Sequence, residues 1–227
     1  MQRNPARAGT LMAVGSMTSV QVGLALAVLL IERIGAEGTV WLRLAWSGVI
    51  LLIIGRPRPS AFTARTFAVC ALLGVVTAGV TMLFMFAVSY IPLGTASALE
   101  FLGPLGVAVA TGRGRHRLLW PALAAVGVLL LTEPWTGQVN STGVLYALGA
   151  AVCWAGYILL TQRVGDGVAG ITGLAVSMPV AALVATAIAG RDVVQWLTPE
   201  LILIGIGLAI LLPTVPFTLE LLALRRL

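Results

Sequence analysis

The sequence predicts an all-α integral membrane protein: eight transmembrane helices forming an inverted repeat whose full form would have ten. Three observations carry this reading. Of 227 residues, 59% are hydrophobic and 10% charged, with a mean hydropathy of +1.03. A soluble domain carries about 25% charged residues, so this chain lacks the polar surface to stay in water. Apolar runs near the length that crosses a bilayer, about 20 residues, recur along the whole chain. The spacing of those runs also repeats, with a shift of 136 residues.

The first run, 9–31, follows the basic start MQRNPARAG. It is too long for the apolar part of a signal peptide and has no small-residue cleavage site, so it reads as a retained span. The signal ERIGAEG separates it from a short second run, 39–55. GRPRPSAFTAR precedes the third, 67–90, and YIPLG makes a tight turn at Pro92-Leu93-Gly94 into the fourth, 93–111. TGRGRHR, TEPWTGQVNS, QRVGDG and GRDVVQWLTPE then separate runs 118–133, 142–162, 170–189 and 200–224. Pro92 and Pro121 fit the first turn of a helix, where a missing N–H costs little.

All 14 basic residues are arginines, and the net charge is +6. They lie in short loops between apolar runs, not on a basic face with aromatic contacts, so nucleic-acid binding is not expected. With the N-terminus in the cytoplasm, eleven arginines fall on cytoplasmic segments and two, Arg33 and Arg191, on outer loops. Basic loops stay inside, which places the N-terminus in the cytoplasm. Cys70 and Cys153 lie within apolar runs and read as small buried hydrophobes. His116 has no second His or acid beside it, so no metal site and no acid–base catalysis is expected.

The 136-residue shift lays the first span on the sixth, the second on the seventh and the third on the eighth. An odd number of spans separates equivalents, so the halves have opposite orientation, as in transporters built from inverted repeats. The expected organisation is a first repeat of five helices over 1–138 and an incomplete second repeat of three over 139–227. Partners of the fourth and fifth spans would occupy about 229–247 and 254–269, past Leu227.

The stretches SVQVGLALAV, WLRLAWSGVILL, PLGTASALEFLGPLGVAV, GAAVCWAGYILLTQRVG and LLPTVPFTLELLALRRL resemble the EamA branch of the drug/metabolite transporter superfamily. The resemblance runs from about Met12 to the last residue. It implies a ten-helix bacterial inner-membrane carrier that exports small polar metabolites, amino acids such as threonine and homoserine among them, by alternating access. The sequence stops before the ninth helix, where a second LEP-like motif would lie.

Intramembrane charges are functional candidates by default, which singles out Glu100 and Arg43. Glu100 lies about 10 Å into the fourth span and Arg43 about 6 Å into the second, at 1.5 Å per residue and counted from the same side. Together they match the ammonium and carboxylate of an amino acid, and they also suit a lock between helices. Proton coupling through Glu100 is a second expectation; no cofactor is. Gln21 is polar in mid-span, and the repeat aligns it with Tyr157, which suits a site at the repeat interface. Trp154, beside them in the motif, reads as packing or substrate contact. Pro104, Pro179, Pro213 and Pro216 interrupt spans and are candidate hinges. Glu220 reads as a local partner of Arg225 and Arg226. A membrane-embedded lipid-modifying enzyme would need a nucleophile–base pair or a metal cluster, and neither is legible. An inactive or partner-dependent fragment of a carrier is the other alternative. The expected partners are a small-molecule substrate and the lipid bilayer.

Overall fold

The computed structural model describes residues 5–58, 62–112, 118–132, 140–165, 171–189, 192, 195 and 197–216. All regular structure among them is helical. The elements are α1 (Pro5–Gly55), α2 (Ala64–Tyr90), α3 (Leu93–Glu100), α4 (Leu102–Thr111), α5 (Leu119–Thr132), α6 (Ser141–Gly165), α7 (Ile171–Ala189) and α8 (Pro199–Ala209), followed by a π-helical turn, Ile210–Thr214. Five segments are long and apolar enough to cross a membrane, and Pro121–Leu130 and Pro199–Leu212 are shorter apolar helices. The outer surface is itself apolar: Val152 is 73% exposed, Met17 and Leu203 70%, Leu145 69%. Such a continuous apolar surface needs lipid as its solvent. The chain is a multi-pass membrane protein.

The first loop expected from ERIGAEG is almost absent. Helix runs on both sides of one non-helical residue, Gly35, at φ 75 and ψ 171. That backbone is open to glycine and strained for other residues, and the Thr39 hydroxyl bonds the Gly35 carbonyl at 2.9 Å to start the second arm. The chain reverses there. Arg33 meets Glu200 at the start of α8, and Gly23 packs on Leu212 at its far end, yet Leu42 and Trp46 of the second arm return to Gly205 between them.

These contacts fix which ends lie together. The Gly35 end of the bundle holds the end of α2, the start of α6, the end of α7 and the start of α8: Gly143 faces Tyr90 and Ile91, Trp41 Nε1 donates to Thr186 Oγ1 at 2.8 Å, and Arg33 bonds Glu200 at 2.8 Å. The opposite end carries a second apolar cluster, Cys70 and Leu73 with Phe62, Val69, Tyr157, Leu160 and Val176.

Local chemistry explains the helix starts. Thr63 and Thr66 form a reciprocal capping box on α2, Asn140 Oδ1 accepts the Thr142 and Gly143 amides at the start of α6, and Thr198 caps α8 ahead of Pro199. Small residues then allow backbone-to-backbone packing. A Cβ on Gly103 would stand 2.1 Å from the Ala151 carbonyl oxygen, and one on Gly74 2.3 Å from that of Ser177. Several hydroxyls inside the bundle are satisfied on their own helix, as Thr77 on the Leu73 carbonyl at 2.7 Å.

The expected prolines act in different ways. In the fourth span the break falls at Phe101, immediately after Glu100, and divides α3 from α4. Pro104 is its cause: it has no N–H for the Glu100 carbonyl four residues back, and its ring crowds that carbonyl. Pro179 lies inside α7 without ending it and packs on Gly48. Pro213 falls within the π turn, in which the Val215 amide donates to Ile210 rather than Leu211. Continuing that register would require an amide at 216, which Pro216 lacks. The Leu211 carbonyl so released accepts the Ser19 hydroxyl at 2.7 Å. Glu220, Arg225, Arg226 and His116 lie outside the described residues.

Ser19→Ala removes that donor while Pro216 still withholds its own. Such interhelical bonds are worth about 0.6–1.7 kcal/mol in membranes. The expected result is a lower thermal midpoint of the purified protein, rescued by Ser19→Thr; an unchanged midpoint would show that the carbonyl finds another donor.

Candidate functional site

Arg43 lies two turns past Gly35 on the second arm of α1, and Glu100 is the last residue of α3. Each is partly buried. Helical rise sets Arg43 about 12 Å from Gly35 and Glu100 about 10 Å from the start of α3, so the two share one layer of the bundle. Their opposite charges act on each other across that layer, and both are stripped of much of their water. They are not in contact: among the described residues the one ion pair within 4 Å is Arg33–Glu200.

Trp154 reaches the same part of the bundle through Phe101. The Phe101 and Trp154 rings meet edge to face, with centroids 6.4 Å apart and planes at 80°. One turn earlier on α6, Ala151 takes the close approach of Gly103. Three of the five expected residues, Arg43, Glu100 and Trp154, therefore gather around the α3–α4 break. The other two do not join them there. Gln21 is exposed on the first arm of α1. Tyr157, one turn past Trp154 on α6, packs into the Cys70–Leu73 cluster instead.

Above the Arg43–Glu100 layer lies an aromatic group, Phe86, Tyr90 and Tyr146. Tyr90 and Tyr146 stack at 5.9 Å, and Phe86 meets Tyr146 at 5.5 Å. These residues went unnoticed in the sequence because aromatics four apart on one helix look like ordinary core, and Tyr146 comes from a distant helix. Among the described residues no group of three or more His, Cys, Asp or Glu could hold a metal.

Comparison with known proteins decides the family. The chain is 37% identical over 218 residues to the threonine/homoserine exporter RhtA of Escherichia coli (strain K12), covering 93% of this chain and 72% of the relative. It is 35% identical, over the same shares, to the protein of that name from Salmonella typhimurium (strain LT2). The chain belongs to the threonine/homoserine exporter family. No protein-family model and no solved structure matches it. The relatives are exporters, not enzymes.

Proposed function

We propose that this protein is a bacterial inner-membrane carrier that exports small amino acids such as threonine and homoserine by alternating access. The observation that carries the reading is the separated Arg43–Glu100 pair in a membrane bundle whose relatives are named amino-acid exporters. An α-amino acid brings one positive and one negative group. Glu100 takes the ammonium, Arg43 the carboxylate, and the Phe101–Trp154 pair bounds the side chain. Burying either protein charge alone in a span costs about 2.5–3.5 kcal/mol; a bound zwitterion offsets both. Proton exchange at Glu100 couples the cycle, with Gln21 and Tyr157 assigned to the far half of the path.

The inverted repeat gives the machinery. Counting each arm of α1 as a span, and α3–α4 as one, the chain crosses the bilayer eight times, with its N-terminus in the cytoplasm and the Gly35 end outside. The repeat, 1–138 against 139–227, is supported by the packing. The first span meets the eighth as the sixth meets the third, the second meets the eighth as the seventh meets the third, and the second and seventh meet each other. Equivalent helices also run in opposite directions relative to the Gly35 end. Pro179 and Gly48 sit where the second and seventh helices cross, and Pro104, Pro213 and Pro216 mark the other breaks at which segments pivot.

The direct experiment is efflux. Cells expressing the chain, preloaded with labelled threonine or homoserine, are expected to lose label faster than vector controls. Equal rates for every amino acid tried would defeat the proposal.

A further inference from the structure

We propose that the indole N–H of Trp46 is a second donor to the carboxylate of the transported amino acid, beside Arg43; this rests on the exporter reading. Trp46 lies three residues past Arg43 on the second arm of α1. Side chains three apart on a helix are neighbours, about 5–6 Å between Cβ atoms. Helical side chains also lean toward the helix N-terminus, here the Gly35 end, so the indole reaches back toward the level of Arg43.

The contacts of the ring fix that level. Gly205 of α8 is buried, and a Cβ there would stand 2.7 Å from Trp46 Cδ1, 3.1 Å from Nε1 and 3.3 Å from Leu42 Cβ. The pyrrole edge, which carries the N–H, is therefore turned toward α8, inside the bundle. Gly205 lies about 9 Å from the start of α8 at the Gly35 end by helical rise, and Arg43 and Glu100 lie about 10–12 Å from that end. The indole N–H thus belongs to the same layer as the two charges.

An indole N–H donates and cannot accept, so it needs an acceptor atom. Trp41 has one: its Nε1 donates to Thr186 Oγ1 at 2.8 Å. Among the described residues the Trp46 N–H has no acceptor, and neither the Arg43 guanidinium nor the Glu100 carboxylate has a hydrogen-bond partner. Yet no side-chain nitrogen or oxygen among them is buried without a partner. These three groups therefore open onto accessible space, where a small solute can meet them. An α-amino acid supplies what they lack. Its ammonium suits Glu100. Its carboxylate offers two oxygens with about four lone-pair sites, enough for the guanidinium and the indole together. Both donors come from one helix, so the carboxylate is anchored to the second arm of α1 and the ammonium to α3.

The test removes the N–H and keeps the ring. Trp46 is exchanged for 3-benzothienylalanine, which has sulfur in place of the N–H, and Trp46→Phe is made beside it. Affinities of the purified proteins are measured for threonine and for threoninol, which keeps the ammonium and the hydroxyl and lacks the carboxylate. Losing a hydrogen bond to a charged group weakens binding about 10- to 100-fold. Both variants are expected to bind threonine that much more weakly, and threoninol as the wild type does. Threonine bound equally well by the wild type and the benzothienyl variant overturns the inference. So does an equal loss for threoninol, which would mark ring packing or contact with the hydroxyl. No binding of threonine by the wild type removes this inference and the exporter reading together. The expected losses in a chain that exports nothing sustain the donor and remove the exporter reading alone.

Discussion

Arg43→Ala is expected to abolish export and destabilise the bundle, and adding Glu100→Gln is expected to restore the stability but not the export. Glu100 shares its layer with one described cation, Arg43, and each compensates the other's burial. With Arg43 gone, an acid in a membrane span carries a penalty of about 2.5–3.5 kcal/mol. That corresponds to a loss of about 100-fold in the folded-to-unfolded ratio. Glu100→Gln removes the charge and with it the penalty, so the double variant recovers its thermal midpoint, a coupling of the kind that double-mutant cycles measure. Neither single variant nor the double retains both groups a zwitterion requires. The two roles therefore separate in one cycle. If the double variant exports at the wild-type rate, the pair is a lock between α1 and α3 and nothing more.

Gly103→Leu is expected to be the most damaging substitution in the α4–α6 contact. A Cβ at 103 would lie 2.1 Å from the Ala151 carbonyl oxygen, and the obstacle is backbone, which has no alternative rotamer. The helices must part by more than an ångström, at a cost at or above the top of the about 1–3 kcal/mol range for overpacking. Because α4 begins directly after Glu100, that displacement also moves the carboxylate and Phe101. Gly106→Leu is the control. It lies one turn away on the same helix, with nothing within 4 Å of its Cβ, and is expected to leave midpoint and efflux unchanged. Similar losses in both variants would mean that the α4–α6 spacing is not set by Gly103.

The helices were legible because a bilayer imposes one length and one chemistry on every span. The bounds of α2, α6 and α7 fall within a few residues of the apolar runs 67–90, 142–162 and 170–189. What the sequence hid were features depending on a single backbone angle or a partner far along the chain. ERIGAEG reads as a loop because it holds three charges and two glycines, yet only Gly35 leaves the helix. Pro104 signalled a break, but the lost bond is that of the carbonyl four residues back, so the interruption falls at Phe101, whose own backbone stays helical. The Ser19–Leu211 bond spans 192 residues and exists because Pro216 withholds an amide; no local pattern announces it.

The candidate site was half legible for a related reason. A charge inside an apolar run stands out by itself, so Arg43 and Glu100 could be found, and their shared layer followed from counting helical rise. Gln21 and Tyr157 were joined by alignment of repeats, which says that two positions are equivalent and not that they are adjacent. Tyr157 instead packs with Cys70 and Leu73. Phe86, Tyr90 and Tyr146 become a group only once α2 and α6 are laid side by side.

The central claim is that the Arg43–Glu100 layer carries an amino acid across the membrane. It is tested most directly by loading reconstituted vesicles with labelled threonine or homoserine and following its release, wild type beside Glu100→Gln at matched amounts of folded protein. The account predicts release well above that of empty vesicles for the wild type, and release at the background rate for the variant. Equal release from the two proteins, whether fast or at background, would contradict it.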